Sequence, residues 1–405
     1  MSVISVSAIK SAASLPPKPK FALFALAFRP FYLLAATFAI VSILLWLLFY
    51  IHQVRLHNLL PNLAYGYVWH AHEMIFGFGF TVIIGFLFTA GKTWTGLQTP
   101  RGWLLGMLCL LWLCARIANL IASQKIALIS DAAFELSSLV LFANVIFRAK
   151  NKNNYKFLII LTAFVILDAS SHLALMGILP VNIMSPIYLG LYLIILVVCI
   201  MSSRIIPMFT RNTFPNIGTS NQPIYAQAAI GSYIVAIIAM FLPIPNAIQA
   251  GLLIISGVIH ALMLFKWRGY KTFSNPLVWI LHVSYLWIVL GLWLQAAALF
   301  DLTTVSIARH ALGVGAMSGM ILGMMTRTAL GHTGSALQVG KMETIAYIFL
   351  HLGAFFRVIM PILLPNVKYS IWMDLAGTFW ILAFLLYLIK YTPKLIRARA
   401  DGKEG

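Results

Sequence analysis

Trp69-His70-Ala71-His72-Glu73-Met74 places two imidazoles and a carboxylate within four residues of an otherwise apolar stretch, with Gly77, Gly79 and Gly85 just beyond. A neutral imidazole is a good ligand for haem iron or copper, and it also carries protons near neutral pH. On a helix each residue advances about 100°. His70 and His72 therefore point roughly 200° apart and cannot easily share one metal, but each can serve a different centre on opposite sides of the helix. Glu73 can orient a histidine ring, or it can carry protons itself. The plainer alternative is a hydrogen-bonded helix end facing outward.

Other spans bring single histidines to comparable depth. His172 follows Asp168, Ser170 and Ser171, and His310 follows Arg309. With His70 and His72 they can form one outer-half set of metal ligands, although each taken alone serves equally well as a helix-packing hydrogen bonder. A second group lies toward the other end of the spans. It holds His260, His282, and His332 in Gly331-His332-Thr333-Gly334, where glycines let a backbone or a flat macrocycle approach closely. Arg204 in Ser203-Arg204-Ile205-Ile206-Pro207 and Arg327 in Met325-Thr326-Arg327 can pair with haem propionates, a quinone head group or another anion. They can equally be charge anchors. His351 has no polar companion in sequence and reads as packing, and His52 and His57 sit in a loop. Cys109, Cys114 and Cys199 show no metal-binding spacing and read as small hydrophobes. Without a Cys-x-x-Cys-His attachment site, any haem is noncovalent, of the b type.

The elements that position these residues follow from composition. The chain has 405 residues, 61% hydrophobic and 9% charged, with a mean hydropathy of +0.94. Soluble domains carry roughly 25% charged residues. Apolar runs long enough to cross a membrane as helices recur at 30–51, 68–91, 102–122, 128–148, 155–178, 185–208, 223–242, 246–267, 276–298, 304–328, 341–364 and 370–391. The spacing predicts an all-α polytopic membrane protein of about twelve transmembrane helices. It has a tail at 1–27, a membrane domain at 28–391 and a basic tail at 392–405.

Charge placement gives the orientation. Taking alternate flanks from the N-terminus, the basic residues fall at 10–29, 92–101, 148–156, 204–211, 266–271, 327–341 and 390–403, and together these flanks hold 22 of the 28 lysines and arginines. Only Arg55, Arg116, Lys125, Arg309, Arg357 and Lys368 remain for the other side. The positive-inside rule then puts both termini in the cytoplasm of a bacterial inner membrane. The net charge of +19 therefore reports topology and contact with anionic lipid, not nucleic acid. The first twenty residues lack the apolar core of a cleavable signal. Segment 52–67, with Pro61, Tyr65 and Tyr67, reads as a small outer lid or as an interfacial aromatic anchor.

Six blocks in order make the sequence similar to the NnrS family: Phe28-Arg29-Pro30-Phe31, the Trp69–Met74 block, Trp94-Thr95-Gly96, Arg204–Thr210, His310–Gly315 and Met325–Gly334. One departure is Ser202-Ser203 before Arg204, where the resemblance leads one to expect glycines. The resemblance implies a twelve-helix membrane protein that binds haem and copper and acts in the response to nitric oxide, often alongside denitrification. It implies His70, His72, His172, His282, His310 and His332 as cofactor ligands, with His70, His72, His172 and His310 as the metal set and Arg204 and Arg327 beside the cofactor. If the protein is an enzyme, the implied chemistry is that of a haem–copper oxidoreductase acting on nitric oxide or its adducts, with Glu73 as the proton-handling group and a quinol or other electron donor. Two readings from other classes remain open. One is a transporter in which the histidines and Glu73 form a proton- or metal-coupled path, against which the rarity of mid-membrane acids counts, Asp131, Glu135 and Asp168 being the only ones in the fourth and fifth spans. The other is a non-catalytic factor that shields or assembles metalloproteins.

Overall fold

A computed structural model describes residues 21–219 and 223–401. They form twelve principal helices: α1 (Phe28–Ile51), α2 (Tyr67–Thr95), α3 (Trp103–Ile121), α4 (Gln124–Arg148), α5 (Lys152–Leu175), α6 (Met184–Thr213), α7 (Pro223–Ala239), α8 (Asn246–Lys271), α9 (Pro276–Ala298), α10 (Val305–His332), α11 (Lys341–Leu363) and α12 (Tyr369–Ile396). No strand occurs among the described residues. Eleven of the helices are long and apolar enough to cross a membrane, and α7 has 17 residues, at the lower end of the roughly 17–25 that suffice. Of the tails expected at 1–27 and 392–405, residues 1–20 and 402–405 lie outside the described residues.

The two ends of the bundle meet. Ala22 N donates to Ile396 O at 2.8 Å, and Arg29 Nη1 reaches the carbonyls of Leu395 at 2.9 Å and Arg397 at 2.7 Å. An even number of crossings follows, so α7 counts as the twelfth. The same face gathers the expected basic loops. Gly102 N bonds Phe24 O, Asn151 bonds Trp94 O, Arg268 bonds Ile217 O, and Ala400 N bonds Thr333 O.

Several helices run past the hydrophobic spans on this face. α2 reaches Thr95 and stops at Gly96, whose φ of +69° is the left-handed cap that glycine adopts without strain. α12 continues to Ile396 through Pro393, with Tyr391 and Leu395 buried. The helix therefore runs five residues beyond the apolar run that ends at 391, because these residues still pack on the bundle.

Sequential helices pack as antiparallel neighbours, α3 on α4, α4 on α5, α7 on α8, α8 on α9 and α11 on α12, and α12 closes against α1. α2 is the most enclosed, with phenylalanines 76, 78, 80 and 88 buried. Outward faces such as Leu110, Leu113 and Ile117 of α3 and Ile255, Leu262 and Phe265 of α8 stay exposed, as surfaces solvated by lipid do. Three helices contain π-helical turns, Leu47–Ile51 at the end of α1, Glu73–Gly79 in α2 and Ala311–Ser318 in α10. The last two each begin directly after a candidate histidine, His72 in one case and His310 in the other.

Candidate metal centre

A π turn fits one more residue per turn than an α turn, releases a backbone carbonyl, and recurs at functional sites. In α2 the carbonyl of Gly77 turns to Trp112 Nε1 of α3, at 3.1 Å. A Cβ on Gly77 would stand 2.7 Å from Arg116 Nη1 and 2.8 Å from Glu73 Oε2. Only a glycine lets the α3 guanidinium lie this close to α2.

His72 and Glu73 open onto a buried polar cluster shared by α2, α3, α4 and α5. His72 Nε2 lies 2.6 Å from Asp168 Oδ1, and its Nδ1 lies 3.0 Å from Glu73 Oε1. His172 Nε2 faces Asp131 Oδ2 at 3.1 Å and Asp168 Oδ2 at 3.9 Å, with Gln124 Oε1 3.1 Å from its Nδ1. Arg116 Nη1 donates to both oxygens of Glu73 at 2.7 Å, and its Nη2 donates to Asp131 Oδ1. Asn119 donates to Asp131 Oδ2 at 2.6 Å. One donor atom each from His72, Asp131, Asp168 and His172 falls within 4.8 Å of every other. A four-coordinate ion with bonds of about 2 Å holds its ligands roughly 3.3 Å apart, so torsions moving donors by about 1 Å close the set.

The charge balance is as informative as the distances. Three carboxylates, Glu73, Asp131 and Asp168, face one permanent cation, Arg116. Ionised carboxylates only accept hydrogen bonds, yet both ring nitrogens of His72 lie beside them. Two further positive charges balance the cluster: two protons on the imidazoles, or one divalent ion in their place. Glu135 lies one turn deeper on α4, buried, with Oε2 unpartnered.

A cavity of about 20 Å³ sits above the cluster, lined among others by Asn62, Tyr65, Gln124, Ser171 and His172. It has room for a water or a diatomic molecule. Asn62 and Tyr65 belong to the 52–67 segment, which Asn62 ties to the end of α3 through Ala122 O at 2.9 Å. The segment thus covers the centre from the face opposite the chain ends, while Tyr65 and Tyr67 remain exposed.

His70 turns the other way. Its ring stacks on Trp46 (centroids 4.6 Å apart) and runs parallel to His310 within 9°, with centroids 6.3 Å apart. His70 Nδ1 is buried and unpartnered. His310 Nδ1 donates to Ser306 O at 2.7 Å, which leaves Nε2 with the lone pair. Arg357 of α11 closes this side, donating to Ser306 Oγ at 3.0 Å and to the Tyr369 hydroxyl. A Cβ on Gly313 would meet nothing within 4 Å, so there is open space one turn from His310.

The four outer histidines thus divide into two pairs, His72 with His172 and His70 with His310. The expected inner group does not assemble. His282 Nε2 bonds Thr210 Oγ1 at 3.0 Å, and His332 packs on Phe28; the two share no hydrogen bond or ring contact. His260 is used up between the Tyr285 hydroxyl and Ala229 O. Arg204 is exposed, and Arg327 lies 3.5 Å over the Phe209 ring. Neither arginine approaches an outer histidine pair.

Sequence reasoning missed Arg116 and Arg357, counted there as outer flanking charges. Both are buried inside helices. The signal that could have found Arg116 was its place mid-span, opposite three mid-span acids.

The family comparison bears on this geometry. The profile of the NnrS protein family matches residues 22–399, nearly the whole chain. The chain belongs to the NnrS family. No curated protein is detectably similar to it. Membership accounts for the order of the sequence blocks, and it directs attention to metal binding at the cluster of His72, Asp131, Asp168 and His172 in this NnrS protein.

Proposed function

We propose that this NnrS protein binds copper at the His72, Asp131, Asp168 and His172 cluster, holds a noncovalent b-type haem between His70 and His310, and acts in the bacterial response to nitric oxide. The observation that carries the reading is a buried set of two imidazoles and two carboxylates whose charge balance calls for two positive charges. Nitrogen and oxygen donors together suit copper(II). Glu73 and Arg116 hold the donors in place through hydrogen bonds, as partners of metal ligands do.

His70 and His310 would hold the haem iron, their rings standing parallel within 9° with centroids 6.3 Å apart. An unpartnered Nδ1 on His70 and a free Nε2 on His310 supply the lone pairs. Bound haem and copper would supply sites where nitric oxide or an adduct of it coordinates and exchanges electrons with a quinol or another donor. The cavity over His172 gives such a diatomic molecule a place to enter. The basic loops gathered on the face of the chain ends support an inner-membrane orientation with both ends in the cytoplasm.

Metal and haem analysis of purified protein tests the assignment, with His72→Ala and His70→Ala beside the wild type. Copper is expected to fall in His72→Ala with the haem absorption intact, and haem absorption to fall in His70→Ala with copper retained. Identical losses in both variants, or none, would contradict two separate centres.

A further inference from the structure

Arg357 lies near the outer end of α11 and is buried. It is one of the six basic residues that the charge count leaves for the side away from the chain ends. Its acceptors are neutral. Nη2 donates to Ser306 Oγ of α10 at 3.0 Å, and Nη1 donates to the Tyr369 hydroxyl of α12. A guanidinium carries five N–H donors and keeps its charge, so two hydroxyls satisfy part of its bonding and none of its charge. The ion pairs among the described residues take up Arg116 and Arg399, and not Arg357. Asp374 of α12, five residues beyond Tyr369, turns instead to His52 at 3.0 Å.

Arg116 shows a buried arginine whose counter-charge the chain supplies, from Glu73 and Asp131. Arg357 is a buried cation with no such carboxylate. Charged groups inside a membrane protein are costly unless paired, and they mark ligand and ion sites.

The group beside Arg357 is the pair of His70 and His310. Arg357 bonds the hydroxyl of Ser306, and the carbonyl of the same residue accepts from His310 Nδ1 at 2.7 Å. The guanidinium is within electrostatic range of both rings. His70, His310 and Gly313 are only half-buried, so protein does not seal the space around the pair. Arg309, the other arginine here, is spent elsewhere. It lies 3.2 Å over the ring of Tyr188, with Nε 3.5 Å from the Tyr192 hydroxyl.

We propose that Arg357 binds a carboxylate of the macrocycle held between His70 and His310, so that a haem propionate supplies its counter-charge. The inference rests on the haem reading of that pair and adds the group that orients the macrocycle. A planar guanidinium matches a carboxylate in shape as well as charge. Ser306 and Tyr369 hold Arg357 from two other helices, so its place is set before the anion arrives. This is the role that sequence offered to Arg204 and Arg327, neither of which approaches the pair.

Titration of the full-length protein in lipid nanodiscs, produced in cells that make no haem, tests the proposal. The two probes are haem b and its dimethyl ester, in which both carboxylates are capped as neutral esters, and absorption of the bound haem is the readout. Wild type is expected to bind the free acid about 10–100-fold more tightly than the ester, the range for a hydrogen bond to a charged group. Arg357→Leu should bind both forms alike. An arginine with a merely structural role would weaken both forms equally and keep their ratio. Equal binding of acid and ester by wild type, a comparison that needs no variant, would overturn the proposal and leave the haem reading standing. So would an undiminished preference for the acid in a folded Arg357→Leu. Failure of wild type to bind either form would remove the haem reading and the proposal with it.

Discussion

Around His72 the imidazoles and carboxylates are joined to one another and to Arg116, whereas His70 Nδ1 on the other side of α2 is buried with no partner. The first region is rich in acceptors and short of positive charge. The second has imidazole nitrogens that no protein group engages, Nδ1 of His70 and the Nε2 lone pair of His310. The contrast separates two ways in which a membrane interior can hold polar groups. A network of opposite charges is self-supporting and pre-shaped, and it waits only for cations. An unpartnered buried nitrogen costs free energy until something outside the chain, an ion or a macrocycle, completes it.

The sharpest way to break the comparison is at Arg116, the single permanent cation of the acidic cluster. Removing one partner from a buried ion pair costs about 3–5 kcal/mol, and Arg116 serves both Glu73 and Asp131. Arg116→Met is expected to abolish or strongly depress folded yield and to lower the thermal midpoint of whatever protein is recovered. Within the chain, Arg357→Met in the other region removes bonds to Ser306 and Tyr369 only, and it should cost far less. Equal stability of the two variants would mean that the acids around His72 are held by something other than Arg116.

Protons offer the next test, with an effect on binding instead of folding. If a divalent ion replaces two imidazole protons in the cluster, lowering the pH favours the protonated, metal-free state. Copper affinity should then fall by about 100-fold per pH unit in the range where both protons are exchanged. A competition titration against a chelator of known pH response measures it. A slope near zero would sink the charge-balance argument for His72 and His172.

How much of this was legible in the sequence divides along the same line. Hydropathy and the basic loops gave all twelve helices to within a few residues, because burial in lipid depends on composition over long stretches. The 100° advance per residue was enough to send His70 and His72 to different sides. The partner of each was not readable. His172 and His310 lie far along the chain, and nothing local says which faces which. The π turns at Glu73–Gly79 and Ala311–Ser318 were invisible too, since they go with packing on helices distant in sequence, chiefly α6 for the first and α11 for the second, beside the neighbours α1 and α9. The inner group failed for a related reason. His282 and His332 sit at similar depth, but depth along the membrane does not give position around the bundle.

The smallest of the effects falls at Gly77, where the two layers of α2 and α3 touch. A methyl group there would press on Arg116 Nη1, Glu73 Oε2 and the Phe38 ring, all within 2.8 Å. None can retreat freely, since the first two hold each other and Phe38 packs on Trp112. Overpacking of this kind costs about 1–3 kcal/mol, so Gly77→Ala should fold with a lowered thermal midpoint. The displaced Glu73 no longer orients His72, and loss of such a supporting bond typically weakens metal binding by about 10–100-fold. Gly313→Ala, in the equivalent π turn after His310, meets open space and should change neither property. If Gly77→Ala binds copper as tightly as the wild type, the glycine serves helix packing alone, and the π turn of α2 has no part in shaping the cluster.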